Sequence, residues 1–355
     1  MSRLITIHEL ILAIIIVLII VLVLIIFVLT FSFYRYRSLR HQHEWSTIIQ
    51  QKITEAIVEG AENMPADNSF SLHLKEPSFR RFFLSTLVSS EQKFTGKARE
   101  EINNLFKVYE LEQEAWRKIR SKRDYLIAGG IQELTAMNVE SAVPQITLFL
   151  NHSRRQVYQE AQYAILSFKG FDGLFFLDKL VTPLSNWQQL RLLRSIDTVP
   201  DGQKEHIVSW LGNKNESVAV FALRLIGQFQ LLSYYPKVLS MLDHESITVR
   251  KHTVRILQKL ENSNTVSQLI SSFGQQQYEV QLEILKALKV AKSKQAEPFL
   301  QEQLWQHPNV GIKVAAAEVL MILEGKSYLK DIAESQDTPI QIVQIVKHAL
   351  QQQIC

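Results

Sequence analysis

The stretch Asp243-His244-Glu245-Ser246-Ile247-Thr248-Val249-Arg250-Lys251-His252-Thr253-Val254-Arg255-Ile256-Leu257 decides the fold. Val249, Thr253, Ile256 and Leu257 recur at the spacing that gathers side chains on one face of a helix. Ser246 stands just before the run, where its oxygen can accept from the free amides of a first helical turn. The same pattern returns at Val157 (Ala161, Ala164, Ile165), Val218 (Ala222, Leu225, Ile226), Val280 (Ile284, Ala287, Leu288), Ile312 (Ala316, Val319, Leu320) and Ile342 (Val346, Ala349, Leu350). A weaker copy begins at Gln188, with Leu192, Ser195 and Ile196. Successive starts lie 31, 30, 31, 31, 32 and 30 residues apart, and one more step back reaches Leu126, with Gly130 and Leu134.

A second apolar stretch ends ahead of each strong copy, at Leu150, Leu211, Leu242, Phe273 and Leu304. Turn formers separate the two, as in Asn151-His152-Ser153 and Gly212-Asn213-Lys214-Asn215. Each period therefore reads as a helical hairpin whose apolar face is covered only by stacking on its neighbours. The expected fold is all-α: a solenoid of seven to eight hairpins over residues 109–355. Gly and Pro, 12 and 9 in 355 residues, are too few for a turn-rich β-sandwich or a collagen-like chain. The one cysteine, Cys355, excludes a disulfide framework, and as the last residue it is not a prenylation box.

The other end of the chain is of a different kind. Leu10 to Leu29 contains no polar residue, and the apolar run extends to Phe33. Twenty residues at about 1.5 Å each match the thickness of a bilayer core. The run exceeds the apolar core of a signal peptide, and Thr30-Phe31-Ser32-Phe33 offers no small-residue cleavage site. Residues 10–33 are thus expected to be an uncleaved transmembrane helix after a short tail, 1–9. Arg35, Arg37 and Arg40 come after it, while Arg3 and Glu9 precede it. The positive-inside rule then places the large C-terminal part in the cytoplasm of a single-pass membrane protein. Under that topology the sequons at Asn151 and Asn215 are chance matches.

Between anchor and solenoid, residues 34–60 read as a juxtamembrane amphipathic helix. Trp45, Ile48, Ile49, Ile53, Ala56 and Ile57 form its apolar stripe, expected to dock on the protein's own chain. Residues 61–76 read as a linker and 77–108 as a helical adaptor carrying Phe79, Phe82, Phe83, Leu84 and Leu87. Arg117, Lys118, Arg120 and Lys122 are interleaved with Glu110, Glu112, Glu114 and Asp124, which favours a solvated helix face over attraction to anionic lipid.

The segments Asp243–Leu257 and His307-Pro308-Asn309-Val310-Gly311-Ile312-Lys313-Val314-Ala315-Ala316-Ala317 resemble HEAT repeats, and the resemblance covers roughly residues 109–352. It implies an α-solenoid used as a binding scaffold, and is specific for architecture rather than for function. The Asp-to-Arg ladder of that family is matched only by Asp243 with Arg250. The positions corresponding to Arg250 hold Tyr158, Gln189, Ala219, Gln281, Lys313 and Val343.

No nucleophile elbow, phosphate loop, His-Glu-x-x-His or Cys-x-x-Cys is present in the sequence. His41, His43 and Glu44 beside the arginines fit an interfacial position better than a metal site. His152, His244 and His307 recur at hairpin turns and fit a turn-filling role. Residues 129–355 carry 22 basic and 21 acidic side chains, so no nucleic acid is expected as a ligand. The expectation is a membrane-anchored, non-enzymatic scaffold or adaptor without cofactor or metal. Its solenoid would bind a protein partner, possible clients being a membrane enzyme or a signalling protein, with tethering raising the effective concentration. The alternatives are an enzyme or enzyme accessory, since some HEAT-like proteins resemble bilin lyases, and a self-associating membrane organiser. On the expected geometry Tyr158, Gln189, Arg250, Gln281 and Lys313 form a polar row pointing away from the core. Tyr158 and Arg250 would be its anchors, with Arg250 pairing to Asp243 and Tyr158 capping its turn as their local alternatives.

Overall fold

A computed structural model describes residues 7–64, 68–260, 262–323 and 326–351. The start of the tail, Pro65, Ala66 and Asp67 of the linker, and Cys355 lie outside these residues, as do the side chains of Glu9, Tyr34, Arg35, Tyr36, Arg37, Arg40 and His41. Every regular element among the described residues is helical. The chain forms two compact units, residues 1–164 and 165–355.

The first unit begins with α1 (Ile7–Glu59), one unbroken helix of 53 residues, about 80 Å long at the standard rise. The absence of Gly and Pro before Gly60 lets it run that far, and Gly60 ends it at φ +90°. Its segment Ile15–Ser32 is long and apolar enough to cross a membrane, and no part of it is buried against protein. Its position and composition fit a membrane anchor or a signal sequence. The far end of α1 behaves as a globular helix: Ile49, Ile53 and Ala56 are buried, and the helix packs on α3 (Pro77–Glu91) and α4 (Lys97–Val108).

The short α2 (Asn68–His73) completes that core with Phe70. Phe70 meets Phe79 and Phe83 edge-on at 5.5 and 5.4 Å, and Trp45 meets Phe79 edge-on at 5.6 Å, the arrangement that aromatic quadrupoles favour. Lys52 is buried here, its ammonium 5.7 Å from the Phe70 ring centre and 3.1 Å from Glu55 Oε2. Next come α5 (Glu112–Ile119), α6 (Asp124–Ala136), α7 (Val143–Thr147) and α8 (Arg155–Lys169), the last crossing into the second unit. The hairpin α5/α6 is the repeat that starts at Leu126. Its Gly130 permits the close crossing, because a Cβ there would lie 2.8 Å from the Ala115 carbonyl oxygen. In the basic stretch, Arg117 pairs with Glu114 at 2.7 Å and Lys118 with Glu133.

The second unit holds α9 (Asn186–Arg194) and the hairpins α10/α11 (Lys204–Leu211, Glu216–Gln228), α12/α13 (Tyr235–Ser240, Ile247–Lys259), α14/α15 (Thr265–Ser272, Tyr278–Ala291), α16/α17 (Glu297–Gln306, Val310–Leu323) and α18/α19 (Lys326–Glu334, Ile340–Gln351). The second helices α9, α11, α13, α15, α17 and α19 pack side by side in chain order as one layer. The recurring residues are why. Val218, Ala222, Leu225 and Ile226, and their counterparts from Val249, Val280 and Ile312, are all buried, as are Leu211, Leu242, Phe273 and Leu304 at the ends of the first helices. Several first helices open on a proline in the first turn, Pro144, Pro236 and Pro298, where the missing amide costs nothing.

The weaker repeat at Gln188 is the irregular one. A 3-10 stretch, Gly170–Lys179, stands in place of its first helix. Gly170 adopts φ +57°, and a Cβ on Gly173 would sit 2.5 Å from the Ile165 carbonyl oxygen, so the stretch lies directly on the backbone of α8. Counting it, the described residues contain eight hairpins.

Candidate functional site

Each neighbouring pair of second helices from α9 to α17 is joined by a polar link. Arg224 Nη2 donates to Asn186 Oδ1 at 2.9 Å, Ser246 Oγ to Glu216 Oε2 at 2.7 Å, Arg255 to both oxygens of Glu283 at 2.5 and 3.1 Å, and Lys289 Nζ to Glu318 Oε2 at 3.4 Å. A ladder therefore exists, at positions other than that of Arg250. Three of its members, Arg224, Arg255 and Glu318, sit six residues after the repeat start, and at that position Arg194, Arg224, Arg255 and Lys286 stand in four successive hairpins before the sign changes at Glu318. The sequence reading missed this row, although its period was the signal that found the fold.

Charge is unevenly matched along the row. Glu283 holds Arg255 bidentately and lies 3.9 Å from Lys286. Arg224, half-buried, meets only the neutral amide of Asn186, with no carboxylate at ion-pair distance among the described residues. Burial and the nearby charge of Arg255 hold its pKa below the ordinary value. His252 stands in the same field: burial first, then Arg224 and Arg255, depress the imidazole to about 4 despite Glu283, so it is neutral at pH 7.

A groove of about 590 Å³ opens where α9, α11 and α13 begin, within the ~300–1,000 Å³ usual for ligand clefts. Val181, Leu184 and Val220 supply its apolar lining, and Gln189, Lys214, Glu216, Thr248 and His252 its polar side chains. The helix starts are already capped: Ser185 Oγ accepts from Gln188 N, Asn215 Oδ1 from Ser217 N and Ser246 Oγ from Val249 N. Asn215 also donates to the carbonyls of Leu180 and Thr182, at 3.0 and 3.1 Å. Gln189, 2% exposed, donates to the Leu184 carbonyl at 3.2 Å and leaves its Oε1 without a partner.

The five residues of the expected row take different positions. Gln189 is buried rather than outward, because α9 is short and its first turn faces the loop it must close; it nevertheless lines the groove. Gln281 and Lys313 are half-exposed and turn back onto the preceding helix end, donating to the carbonyls of Phe273 and Trp305 at 3.2 and 3.1 Å. Arg250 bonds not to Asp243 but to Gln276 Oε1 of the next hairpin at 3.3 Å, and Gln276 donates to the Leu242 carbonyl at 3.1 Å. Tyr158, half-exposed, belongs to the first unit, and the other four belong to the second. Gln189, Gln281 and Lys313 thus satisfy carbonyls of the loop or helix end just ahead of them, groups that a helix terminus leaves without partners. The hairpin histidines have a similar local duty: Nδ1 of His152, His244 and His307 accepts the amide two residues on, at 3.2, 3.0 and 3.0 Å.

No protein-family model matches the chain. No curated protein sequence matches it. Solved structures similar to it include an engineered protein, at 14% identity and TM-score 0.35, covering 85% of this chain and 98% of that one. Human deoxyhypusine hydroxylase is similar at 14% identity and TM-score 0.29, over 86% of this chain and 97% of that one. The complex of CpcE and CpcF of phycocyanin lyase from Nostoc is similar at 14% identity and TM-score 0.26, over 81% and 98%. The expectation of a non-enzymatic protein is thereby corrected. An enzyme and a lyase subunit stand among the structures similar to it. The missing motifs do not exclude catalysis.

Proposed function

We propose that this protein is a membrane-tethered docking scaffold: α1 anchors it, and the layer of second helices in residues 165–355 holds a protein partner. The observation that carries the reading is the cationic row Arg194, Arg224, Arg255 and Lys286, repeated on successive hairpins. Arginine is enriched in binding hot spots, and a row with the period of the repeat presents one chemistry to an elongated partner. The anchor reading is supported by the continuity of α1, whose apolar segment runs without a break into the docked turns around Ile49. Arg35, Arg37 and Arg40 favour a cytoplasmic position for the C-terminal part. A membrane enzyme or signalling protein is the class of client that tethering serves.

The test has two arms. Protease added to intact cells is expected to spare the domain and to cut it after permeabilisation; digestion in intact cells reverses the sidedness. Photo-crosslinkers placed at Lys286 and Arg194, in native membranes, are expected to capture one discrete partner; no capture from either site removes this face. The groove beside Gln189 favours a second reading, an enzyme or enzyme accessory taking a small substrate there. An activity abolished by Gln189→Leu in a protein that still folds would select it.

A further inference from the structure

Three features converge on the groove at the start of α9, α11 and α13. More positive than negative charge stands around it. Arg224, bonded to the lining residue Asn186, has only that neutral partner, Lys251 beside the lining residue His252 has no ion pair among the described residues, and Lys214 lines the opening. Of the carboxylates nearby, Glu283 is paired with Arg255, and Glu216, which lines the groove and accepts from the hydroxyl of Ser246, offsets one of these cations. Three helix starts meet at this rim, and the positive ends of their dipoles favour an anion. Inside the groove the need is for the opposite group, a donor. Gln189 is 98% buried, and its Oε1 accepts nothing. A buried acceptor without a donor is costly, and a ligand N–H relieves it. A bare anion such as phosphate would answer the rim but not Gln189. A peptide bearing carboxylates answers both, because main-chain amides alternate with its side chains.

We propose that this groove binds an extended acidic segment of a protein, with a main-chain N–H donated to Gln189 Oε1 and a side-chain carboxylate accepting from Arg224 and Lys251. The apolar lining from Val181, Leu184 and Val220 takes an aliphatic side chain between the acidic ones. The inference rests on the docking reading and gives the partner its chemistry.

The experiment uses the full chain in nanodiscs of zwitterionic lipid. Its probe is a fluorescein-labelled peptide of alternating Glu and Leu, read by anisotropy against the same peptide with Gln for Glu. The Glu peptide is expected to bind, to lose affinity as salt rises and to bind at least about tenfold more weakly to Arg224→Gln. Lys251→Glu, a change at the half-exposed rim that does not disturb the core, is expected to weaken it similarly. Gln189→Leu is expected to weaken the Glu peptide without changing the salt dependence. Equal binding of the Gln peptide, or unchanged affinity in Lys251→Glu with its helix signal intact, overturns the proposal. So does a preference of the same rim residues for phosphatidylserine vesicles or an oligonucleotide over the peptide. The two readings separate in the crosslinking experiment. A partner captured equally well by wild type and Arg224→Gln leaves the scaffold standing and removes the groove. Peptide binding without any captured partner does the reverse.

Discussion

His252 makes the electrostatics of the second-helix layer measurable. Its imidazole lies among Arg224, Lys251, Arg255 and Glu283, and burial together with the two arginines holds its pKa near 4 rather than 6.5. The unfolded chain therefore takes up this proton as pH falls through about 6.5, and the folded chain does so only near 4. Between those values the unfolded state binds more protons, so stability falls as the solution is acidified and levels off below about 4. The limit of the effect is about 3 kcal/mol at ~1.4 kcal/mol per pH unit, of which about 2 kcal/mol is lost between pH 7 and 4.5. For a unit of 191 residues, 165–355, that corresponds to roughly 4–8 °C in melting temperature. The measurement is the unfolding free energy of wild type and His252→Gln at both pH values. Carboxylates titrating over the same interval are common to the two proteins and drop out of the difference. The substitution is expected to remove about 2 kcal/mol of acid sensitivity, and NMR of the ring should show no protonation at about pH 5.5. An imidazole titrating near 6.5, or equal acid sensitivity in the two proteins, would refute the burial of His252 near Arg224 and Arg255.

Deleting residues 1–40 is expected to leave a folded helical protein by circular dichroism, because the docked part of α1 begins at Trp45. Ile49→Ala in that same fragment should cost about 2–5 kcal/mol in urea unfolding, since Ile49 is fully buried among α3 and α4. Gly173→Ala should lower the melting temperature by several degrees, about 2 kcal/mol or more, because its Cβ meets backbone at 2.5 Å rather than a side chain that can move. Arg250→Ala should destabilise by about 1 kcal/mol through the loss of its bond to Gln276, and a melting temperature equal to wild type would show that this link between hairpins is idle.

The repeat and the apolar helix were both legible in the residues. Val249, Thr253, Ile256 and Leu257 announce a buried helix face because helical geometry brings close what is separated by three or four residues, and every counterpart in the layer from Val218 to Leu320 is buried. Leu10 to Leu29 announces a membrane-length helix by length and apolarity alone. The docking of Ile49 and Ile53 was legible as a stripe, though not its target, the aromatic cluster of Phe70, Phe79 and Phe83.

What only the tertiary structure decided is where the polar residues go. Arg250 reads as the partner of Asp243, seven residues away, yet it bonds to Gln276, 26 residues on. Arg224 and Asn186 are 38 residues apart in the chain and 2.9 Å apart in space. Gln189 reads as an outward side chain, yet it is buried on the Leu184 carbonyl of the loop ahead of it, with an acceptor to spare. The physical reason is the difference in range between the two kinds of interaction. Burial of an apolar face depends on the helix it belongs to, so local spacing reveals it. A hydrogen bond depends on a distance of about 3 Å to one particular atom, and in a stack of hairpins that atom belongs to the next repeat, placed by packing that no local pattern encodes.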